Sequence, residues 1–248
     1  MNLLRSIISL FFPQNCRMCA EKTDGEELCD ECKEKFIREA FTRCQQCEKS
    51  VAGCVCGADF LDHIKEDIGG KRFISLTFYD KSAKDRITET LIFRLKDRGE
   101  FADFFAYELA REINSLFSRS GENIEEWIVT FVPRSVAKFS EKGFDQGEEV
   151  AWRLAKKLGV KCESVFKRGA SGTVQKSLGK AERRRNAEES IFPLKKHIKN
   201  GGKYILFDDI ITTGATMETG IKHLYFCGAA KVFPVSIAKN LPKYNMSK

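Results

Sequence analysis

The cysteines near the start of the chain restrict its fold more than any other feature of the sequence. Eight of the ten cysteines fall before residue 57 and form four close pairs: Cys16 and Cys19, Cys29 and Cys32, Cys44 and Cys47, and Cys54 and Cys56. A C-x-x-C turn places two thiolates on one side of a tight loop, and two such turns supply the four sulfurs of a tetrahedral Zn²⁺ site. We therefore predict two structural zinc ions in a segment too small to build its own core.

The spacing leaves the grouping of these ligands open. Grouping in sequence order gives a tandem of zinc ribbons, with the first four cysteines on one ion and the last four on the other. An interleaved cross-brace uses the same residues. Disulfide bonds are a further alternative, but they need an oxidising compartment.

The apolar opening MNLLRSIISLFFP is not typical of a signal peptide, because no small-residue cleavage site follows it. We expect a short amphipathic helix that covers part of the protein with Leu3, Leu4, Ile7 and Ile8. No other stretch approaches the ~20 apolar residues of a membrane helix. The sequence therefore predicts a cytoplasmic protein without membrane insertion.

Composition bounds the size and the class of partner. With 248 residues, 42% of them hydrophobic and 31% charged, the chain can form one α/β domain and a small module. The net charge of +7 favours anionic partners. This charge does not distinguish a phosphorylated metabolite from a nucleic acid.

After residue 71 the chain alternates between strand and helix patterns. FISLTFY (73–79), WIVTFV (127–132) and VFPVSIA (232–238) are typical of buried strands. Helix periodicity follows at Ile87, Leu91 and Leu95 with an end near Gly99, at Val150, Leu154 and Leu158 with an end at Gly159, and at Met217, Ile221, Leu224 and Tyr225. The pattern predicts a mostly parallel sheet with helices on both faces. We expect two domains, residues 1–60 with the N-terminal helix and double zinc ribbon, and residues 71–248.

The stretch YILFDDIITTGAT (204–216) predicts the ligand site, because ligands bind at the carboxyl ends of parallel strands. Its turn offers backbone N–H groups, threonine hydroxyls, a flexible glycine and the start of a helix, which together suit a phosphate. The adjacent carboxylates suit vicinal hydroxyls or the waters of Mg²⁺. Phosphoribosyl pyrophosphate has both a 5′-phosphate and a pair of vicinal hydroxyls, and its pyrophosphate binds Mg²⁺. The candidate residues are Asp208, Asp209, Ile210, Thr212, Thr213, Gly214, Ala215 and Thr216.

The same thirteen residues resemble the phosphoribosyl-pyrophosphate-binding signature of type I phosphoribosyltransferases. More of the chain is similar to the ComF family, a branch with an N-terminal double zinc ribbon. This resemblance includes the four cysteine pairs, LKDRGE (95–100), VPRSVAKFSEKGFDQ (132–146) and TVQKSLGKAERRRN (173–186). It implies a type I phosphoribosyltransferase fold.

The resemblance also implies roles for two loops. Pro133, Arg134 and Ser135 would meet the pyrophosphate, and residues 168–186 would form a lid. The lid carries the cations Arg168, Lys176, Lys180, Arg183, Arg184 and Arg185. The chain departs from the family at Phe131, Lys138, Lys142 and Asp145, where the two lysines replace arginines that bind phosphate with two donors.

Two functions follow. In the first, a nitrogen nucleophile displaces Mg-pyrophosphate from the sugar, with Asp208, Asp209, Arg134, Lys142 and Arg183 as catalytic candidates. In the second, the chain senses phosphoribosyl pyrophosphate without catalysis and binds single-stranded DNA together with a DNA-uptake machinery. Phe139 and Phe144, among basic residues, are the candidate stacking platforms for DNA.

Overall fold

A five-stranded, all-parallel sheet forms the centre of the computed structural model, which describes residues 14–83, 86–169, 185 and 187–242. The described strands are β1 (Gln14–Asn15), β2 (Lys22–Thr23), β3 (Ile74–Tyr79), β4 (Trp127–Phe131), β5 (Lys161–Cys162), β6 (Phe166–Arg168), β7 (Ile191–Pro193), β8 (Lys203–Ile211) and β9 (Lys231–Asn240). The order in the large sheet is β3-β9-β8-β4-β5, while β1-β2 and β6-β7 form small antiparallel pairs. The predicted parallel sheet is confirmed.

The helices alternate with these strands. They are α1 (Asp30–Ala40), α2 (Ile87–Arg98), α3 (Ala102–Ser120), α4 (Val136–Lys142), α5 (Gln146–Leu158) and α6 (Ala215–Phe226), with 3₁₀ turns at Val51–Gly53, Asp59–His63, Ile124–Glu126 and Lys195–His197. Gly99 and Gly159 end α2 and α5 in left-handed conformations, as the sequence predicts. The sequence analysis missed α1, α3 and α4. None of the helices within the described ranges is long and apolar enough to cross a membrane.

Alternate residues of β8 pack into separate cores on the two faces of the sheet. Ile205 and Phe207 belong to the larger core, which α2, α3 and α5 cover. Tyr204 and Leu206 belong to the second core, which α6 and the segment around Phe60 cover. The side-chain alternation of a strand therefore places helices on both faces, as predicted.

The cysteine-rich segment, residues 14–56, packs directly on the helices that cover the larger core. Phe36 of α1 lies edge-on against Phe104 and Phe105 of α3, with ring centroids 5.2 and 5.8 Å apart. Cys16, Leu28, Cys32 and Phe36 all belong to the larger core. The predicted N-terminal helix and most of the predicted lid, including Lys176, Lys180, Arg183 and Arg184, lie outside the described residues.

Candidate functional site

The two adjacent carboxylates lie inside β8, near its carboxyl end, and not after it. The strand continues to Ile211 because Ile210 and Ile211 pair with Ala238 and Lys239 of β9. Asp208 is itself paired in register with Ser236. The central position of β8 in the sheet thus holds both carboxylates on a rigid element.

Asp209 is surrounded by donors and is only 9% exposed. Its Oδ1 lies 3.3 Å from Lys96 Nζ and accepts a 2.6 Å hydrogen bond from the Ile210 N–H, while Oδ2 accepts a 2.6 Å bond from Gln146 Nε2. Burial acts to raise the pKa of Asp209, but the Lys96 charge and these hydrogen bonds outweigh it and lower the pKa. Asp209 is therefore held as a carboxylate.

Asp208 has the opposite electrostatic environment. Its Oδ1 accepts a 3.0 Å hydrogen bond from the Asp209 N–H. Burial and the neighbouring Asp209 charge raise the pKa of Asp208 to about 7, against weaker opposing effects of Lys96 and Arg168. The pair thus combines one fixed carboxylate with one that exchanges a proton near neutrality.

The loop after β8 requires glycine at position 214. Gly214 has φ +77°, and a Cβ at this position would lie 2.9 Å from Cδ1 of Phe60. The helix α6 begins at the next residue, Ala215, so its free backbone N–H groups face the loop. Thr212 is exposed, and Thr213 and Thr216 are partly exposed. The structure thus brings the predicted phosphate-binding residues together beside the two carboxylates.

Arg134 stabilises the loop after β4 by hydrogen bonds to backbone carbonyl oxygens. Its guanidinium donates to the carbonyl oxygens of Phe144 at 3.2 Å and Lys96 at 3.1 Å, and it stacks on the Phe144 ring. Its N–H donates to Asp145 Oδ2 at 2.5 Å. The guanidinium of Arg168 reaches the same loop at the Pro133 carbonyl, at 3.1 Å. Arg134 and Arg168 therefore connect α2, β6 and the loop around one side of the site.

The departures from the family pattern have local partners. Asp145 accepts hydrogen bonds from the N–H groups of Gly147 at 2.8 Å and Glu148 at 3.3 Å, and so caps α5. Lys142 pairs with Asp97 at 2.7 Å, and this hydrogen bond and charge lower the pKa of Asp97. The predicted lid residue Arg168 lies in β6 and is half-buried, although the sequence analysis placed it in the polar connection.

Eight buried side-chain polar atoms have no hydrogen-bond partner among the described residues, and three of them lie between the loop after β4 and the start of α5. These three are Nε of Arg134, Oγ of Ser135 and Oε1 of Gln146. Buried polar groups are ordinarily satisfied by protein, water or ligand. Gln146 also contacts Asp209, so this part of the chain is where an unpaired polar atom and the acidic pair lie next to each other.

The cysteines form two separate groups in sequence order. Cys16, Cys19, Cys29 and Cys32 make the first cluster and Cys44, Cys47, Cys54 and Cys56 the second, and within each the ligand atoms lie within 4.8 Å of one another. The interleaved arrangement is therefore not adopted. Each cluster could hold one tetrahedral metal ion such as zinc.

Sequence reasoning assigned no role to Lys96 and Gln146, which contact Asp209. Lys96 lies in the stretch LKDRGE and Gln146 ends the stretch VPRSVAKFSEKGFDQ, so both were within motifs that had been noticed. Their approach to Asp209 spans more than sixty residues of sequence for Gln146 and more than a hundred for Lys96. Only the tertiary fold reveals it.

The parallel sheet, the acidic pair of β8 and the loop that leads into α6 form an α/β fold preceded by two cysteine clusters. The chain is similar to competence protein ComFC of Streptococcus pneumoniae (strain ATCC BAA-255 / R6), with 26% identity over 218 residues, 88% of this chain and 90% of the relative. The resemblance to ComF proteins described above is thereby confirmed. No family model matches the chain.

Three solved structures show partial similarity to this chain. Glutamine phosphoribosylpyrophosphate amidotransferase from B. subtilis aligns at a TM-score of 0.32 and 20% identity, over 44% of this chain and 22% of its own, so this chain spans about a fifth of its length. Purine phosphoribosyltransferase from Pyrococcus horikoshii Ot3 aligns at 0.32 and 17% identity, over 56% of this chain and 83% of its own. Adenine phosphoribosyl transferase from Trypanosoma brucei aligns at 0.31 and 17% identity, over 57% and 69%.

Proposed function

We propose that the chain binds phosphoribosyl pyrophosphate with Mg²⁺ and transfers the phosphoribosyl group to a nitrogen acceptor, releasing pyrophosphate. The observation that carries this proposal is the set of unpaired buried polar atoms on Arg134, Ser135 and Gln146, of which Gln146 contacts Asp209. A ligand with hydroxyl and phosphate oxygens would satisfy all three. The thirteen-residue signature in the sequence supports the same assignment.

Different residues of the site bind different parts of the ligand. Asp209, held ionised by Lys96 and Gln146, accepts hydrogen bonds from the ribose hydroxyls with Asp208. Residues 212–216 and the start of α6 bind the 5′-phosphate. Mg²⁺ prefers the oxygen ligands that this edge of the sheet provides, and it shields the charge of the pyrophosphate.

The leaving pyrophosphate is assigned to the loop after β4 and to the lid. Ser135 and Arg134 each retain an unpaired buried atom in this loop, and Lys142 lies on α4, which follows it. Arg183, in the lid, would add charge where negative charge develops. Closure of such a lid also excludes water from the reaction.

The proposal extends to the metals and the cell compartment. The two cysteine clusters bind structural Zn²⁺, one ion each, because four sulfurs at tetrahedral reach leave no open position. Residues 1–60 form the zinc-binding domain, and residues 71–248 form the transferase domain. Free thiols of this number belong in a reducing compartment, and we assign the protein to the cytoplasm.

Titration calorimetry with phosphoribosyl pyrophosphate and Mg²⁺ tests the donor site. Changing Asp208 and Asp209 together to Asn should weaken binding by about tenfold or more, since each charged hydrogen bond contributes about 1.5–3 kcal/mol. The control changes another adjacent acidic pair, Glu125 and Glu126, to Gln at the opposite end of the sheet. Equal affinity of the Asp variant and the wild type would refute the proposed site.

A second candidate function is a non-catalytic sensor that binds single-stranded DNA in DNA uptake. The name of the competence relative and the net charge of +7 favour it. Phe139 is 47% exposed and available for stacking, whereas Phe144 is covered by Arg134. The partners of such a sensor would be single-stranded DNA and a DNA-uptake machinery.

The arginine triplet of the lid separates the two functions. If the chain is an enzyme, changing Arg183, Arg184 and Arg185 to Ala should lower pyrophosphate release far more than donor affinity, with nitrogen nucleophiles screened as acceptors. If the chain binds DNA, each lost arginine should flatten the salt dependence of DNA binding by about one unit of slope. Unchanged pyrophosphate release with a flatter slope decides for the DNA-binding function.

A further inference from the structure

Lys239 is a buried lysine that contacts the second cysteine cluster. It lies in β9 and is 2% exposed. Its Nζ donates to the carbonyl oxygen of Cys54 at 2.8 Å and lies 3.4 Å from the Cys54 sulfur. The aromatic rings of Phe73 and Phe78 also contact this ammonium group, with ring centroids 5.4 and 5.8 Å from Nζ.

This ammonium has no carboxylate partner within the part of the chain that the structure describes. Several half-buried lysines among the described residues pair with acids: Lys203 and Lys231 both reach Glu122, for example. A buried charge is costly unless an opposite charge and hydrogen bonds compensate it. Two aromatic faces and one carbonyl reduce this cost but leave the positive charge unpaired.

The missing negative charge is available at the cysteine cluster. A divalent zinc ion bound by four thiolates carries an excess of two negative charges. The Cys54 sulfur, which is fully buried, is the one that faces the ammonium. A hydrogen bond from Lys239 to this sulfur would remove electron density from the thiolate and make it a weaker nucleophile.

The first cluster has no hydrogen-bonding cation of this kind among the described residues. Both clusters have a backbone N–H that points at a sulfur, from Met18 to Cys16 and from Gln46 to Cys44, at 3.4 Å each. Within the described residues, no lysine, arginine or histidine side chain hydrogen-bonds to a sulfur of the first cluster. Cys19 of that cluster is also exposed, whereas no cysteine of the second cluster is.

We propose that Lys239 is the outer-sphere cation of the second cysteine cluster, and that it makes this cluster the slower of the two to lose its metal ion and to react with thiol reagents. The first cluster is then the labile and reactive site. Mutating a residue that hydrogen-bonds to a metal ligand commonly changes metal affinity by about 10–100-fold. This inference concerns the metal sites and does not depend on the phosphoribosyl site.

The test compares Lys239→Met with Lys49→Met in the zinc-loaded protein. Met keeps the length of the side chain and suits the aromatic surroundings of position 239. Lys49 is exposed and follows Cys47 by two residues, so its variant removes a charge near the same cluster from the solvent side. With excess chelator and a colorimetric zinc indicator, we expect two phases of release, the slower accelerated about tenfold or more by Lys239→Met and unchanged by Lys49→Met.

Cadmium substitution assigns the effect to one site. The ¹¹³Cd spectrum of the full chain should show two resonances in the tetrathiolate range, and Lys239→Met should shift only one of them. A folded Lys239→Met protein, verified by circular dichroism, with both release rates within twofold of wild type and both resonances unshifted would overturn the proposal.

The wild-type protein provides a test that needs no variant. Limited alkylation followed by mass spectrometry should label Cys16, Cys19, Cys29 and Cys32 before the cysteines of the second cluster. Labelling of the second cluster first would also overturn the proposal, even if Lys239→Met fails to fold.

Discussion

At the scale of residues, two neighbouring carboxylates receive opposite environments from the fold. Asp209 is fixed as an anion by Lys96 and Gln146, while Asp208 is half-buried next to that anion and has a raised pKa. Two carboxylates in adjacent positions repel each other, and separating their pKa values reduces this repulsion near neutral pH. The arrangement is costly for the free protein, and a ligand with hydroxyl donors relieves the cost.

The raised pKa of Asp208 predicts a pH dependence of stability. Between its unfolded value of 3.8 and its folded value of about 7, the folded state binds a proton that the unfolded state has lost. Stability is therefore lost as the pH rises through this range. Asp208→Asn should unfold at a higher temperature than wild type at pH 8, and the difference should shrink as the pH falls towards 4.

Thermal unfolding followed by circular dichroism at pH 4, 6 and 8 measures this effect. Asp62→Asn, on the 3₁₀ turn Asp59–His63, is the control for loss of one aspartate charge. A constant difference between Asp208→Asn and wild type over the whole range would contradict the prediction.

The ion pair between Lys96 and Asp209 leads us to predict that ligand binding also depends on pH. Without its ammonium, Asp209 loses the charge that keeps it ionised beside Asp208. Lys96→Met should therefore weaken binding of phosphoribosyl pyrophosphate, and more strongly at pH 6 than at pH 8. Calorimetry at both pH values measures this, with the exposed Lys156→Met as the control; an equal loss at the two pH values would count against the role of Lys96.

At the scale of elements, two helices of the sheet domain receive their N-terminal caps from the cysteine-rich segment. Neither α2 nor α3 has a capping side chain at its own N-cap residue. Instead, Glu39 accepts hydrogen bonds from the N–H groups of Ile87 at 2.8 Å and Thr88 at 3.0 Å. Glu27 accepts from those of Phe101 at 3.1 Å and Phe104 at 3.2 Å. Both carboxylates also face the positive end of a helix dipole.

Removing either cap should destabilise the whole protein. We expect Glu27→Ala and Glu39→Ala each to lower the free energy of unfolding by about 0.5–2 kcal/mol, the usual cost of a lost helix cap. Glu34→Ala is the control, because its pair with Arg38 lies on the exposed side of α1 and such pairs contribute little. Urea denaturation measures the free energy of unfolding of all three variants. If Glu27→Ala and Glu39→Ala lower it no more than Glu34→Ala does, the long-range caps are dispensable.

At the scale of the whole molecule, the cysteine clusters and the sheet share their packing. Cys16 and Cys32 are buried in the core that contains α2, α3 and the sheet. Cys44 and Cys54 pack with Phe78 of β3 and with Leu241. Phe60 lies against Gly214 in the proposed phosphate loop, and His63 lies 3.1 Å from Glu218 of α6. The cysteine-rich segment and the 3₁₀ turn that follows it therefore support the site from several sides.

Metal removal should consequently destabilise the sheet as well as the cysteine clusters. After chelation, we expect the melting temperature reported by the buried Trp127 to fall by roughly 10 °C, since structural zinc contributes several kcal/mol and 1 kcal/mol corresponds to about 2–4 °C for a chain of this size. Near-UV circular dichroism measures the transition, and restoring zinc should reverse the change. A sheet that melts at the same temperature with and without metal would show that the two parts are independent.

The sequence by itself determined the class of the fold and the main strands, because these depend on local patterns, and it is also the source of the proposed ligand. Periodicity placed β3, β4, β8 and β9, glycines marked the ends of α2 and α5, and cysteine spacing predicted two metal sites. The grouping of the cysteines, the caps from Glu27 and Glu39, and the contacts of Lys96, Gln146 and Lys239 were decided only by the tertiary structure. The caps and the contacts of these three residues join positions far apart in the chain, and no local pattern encodes which distant charge a buried group will meet when the layers pack. The cysteine spacing is local, but it is compatible with more than one grouping.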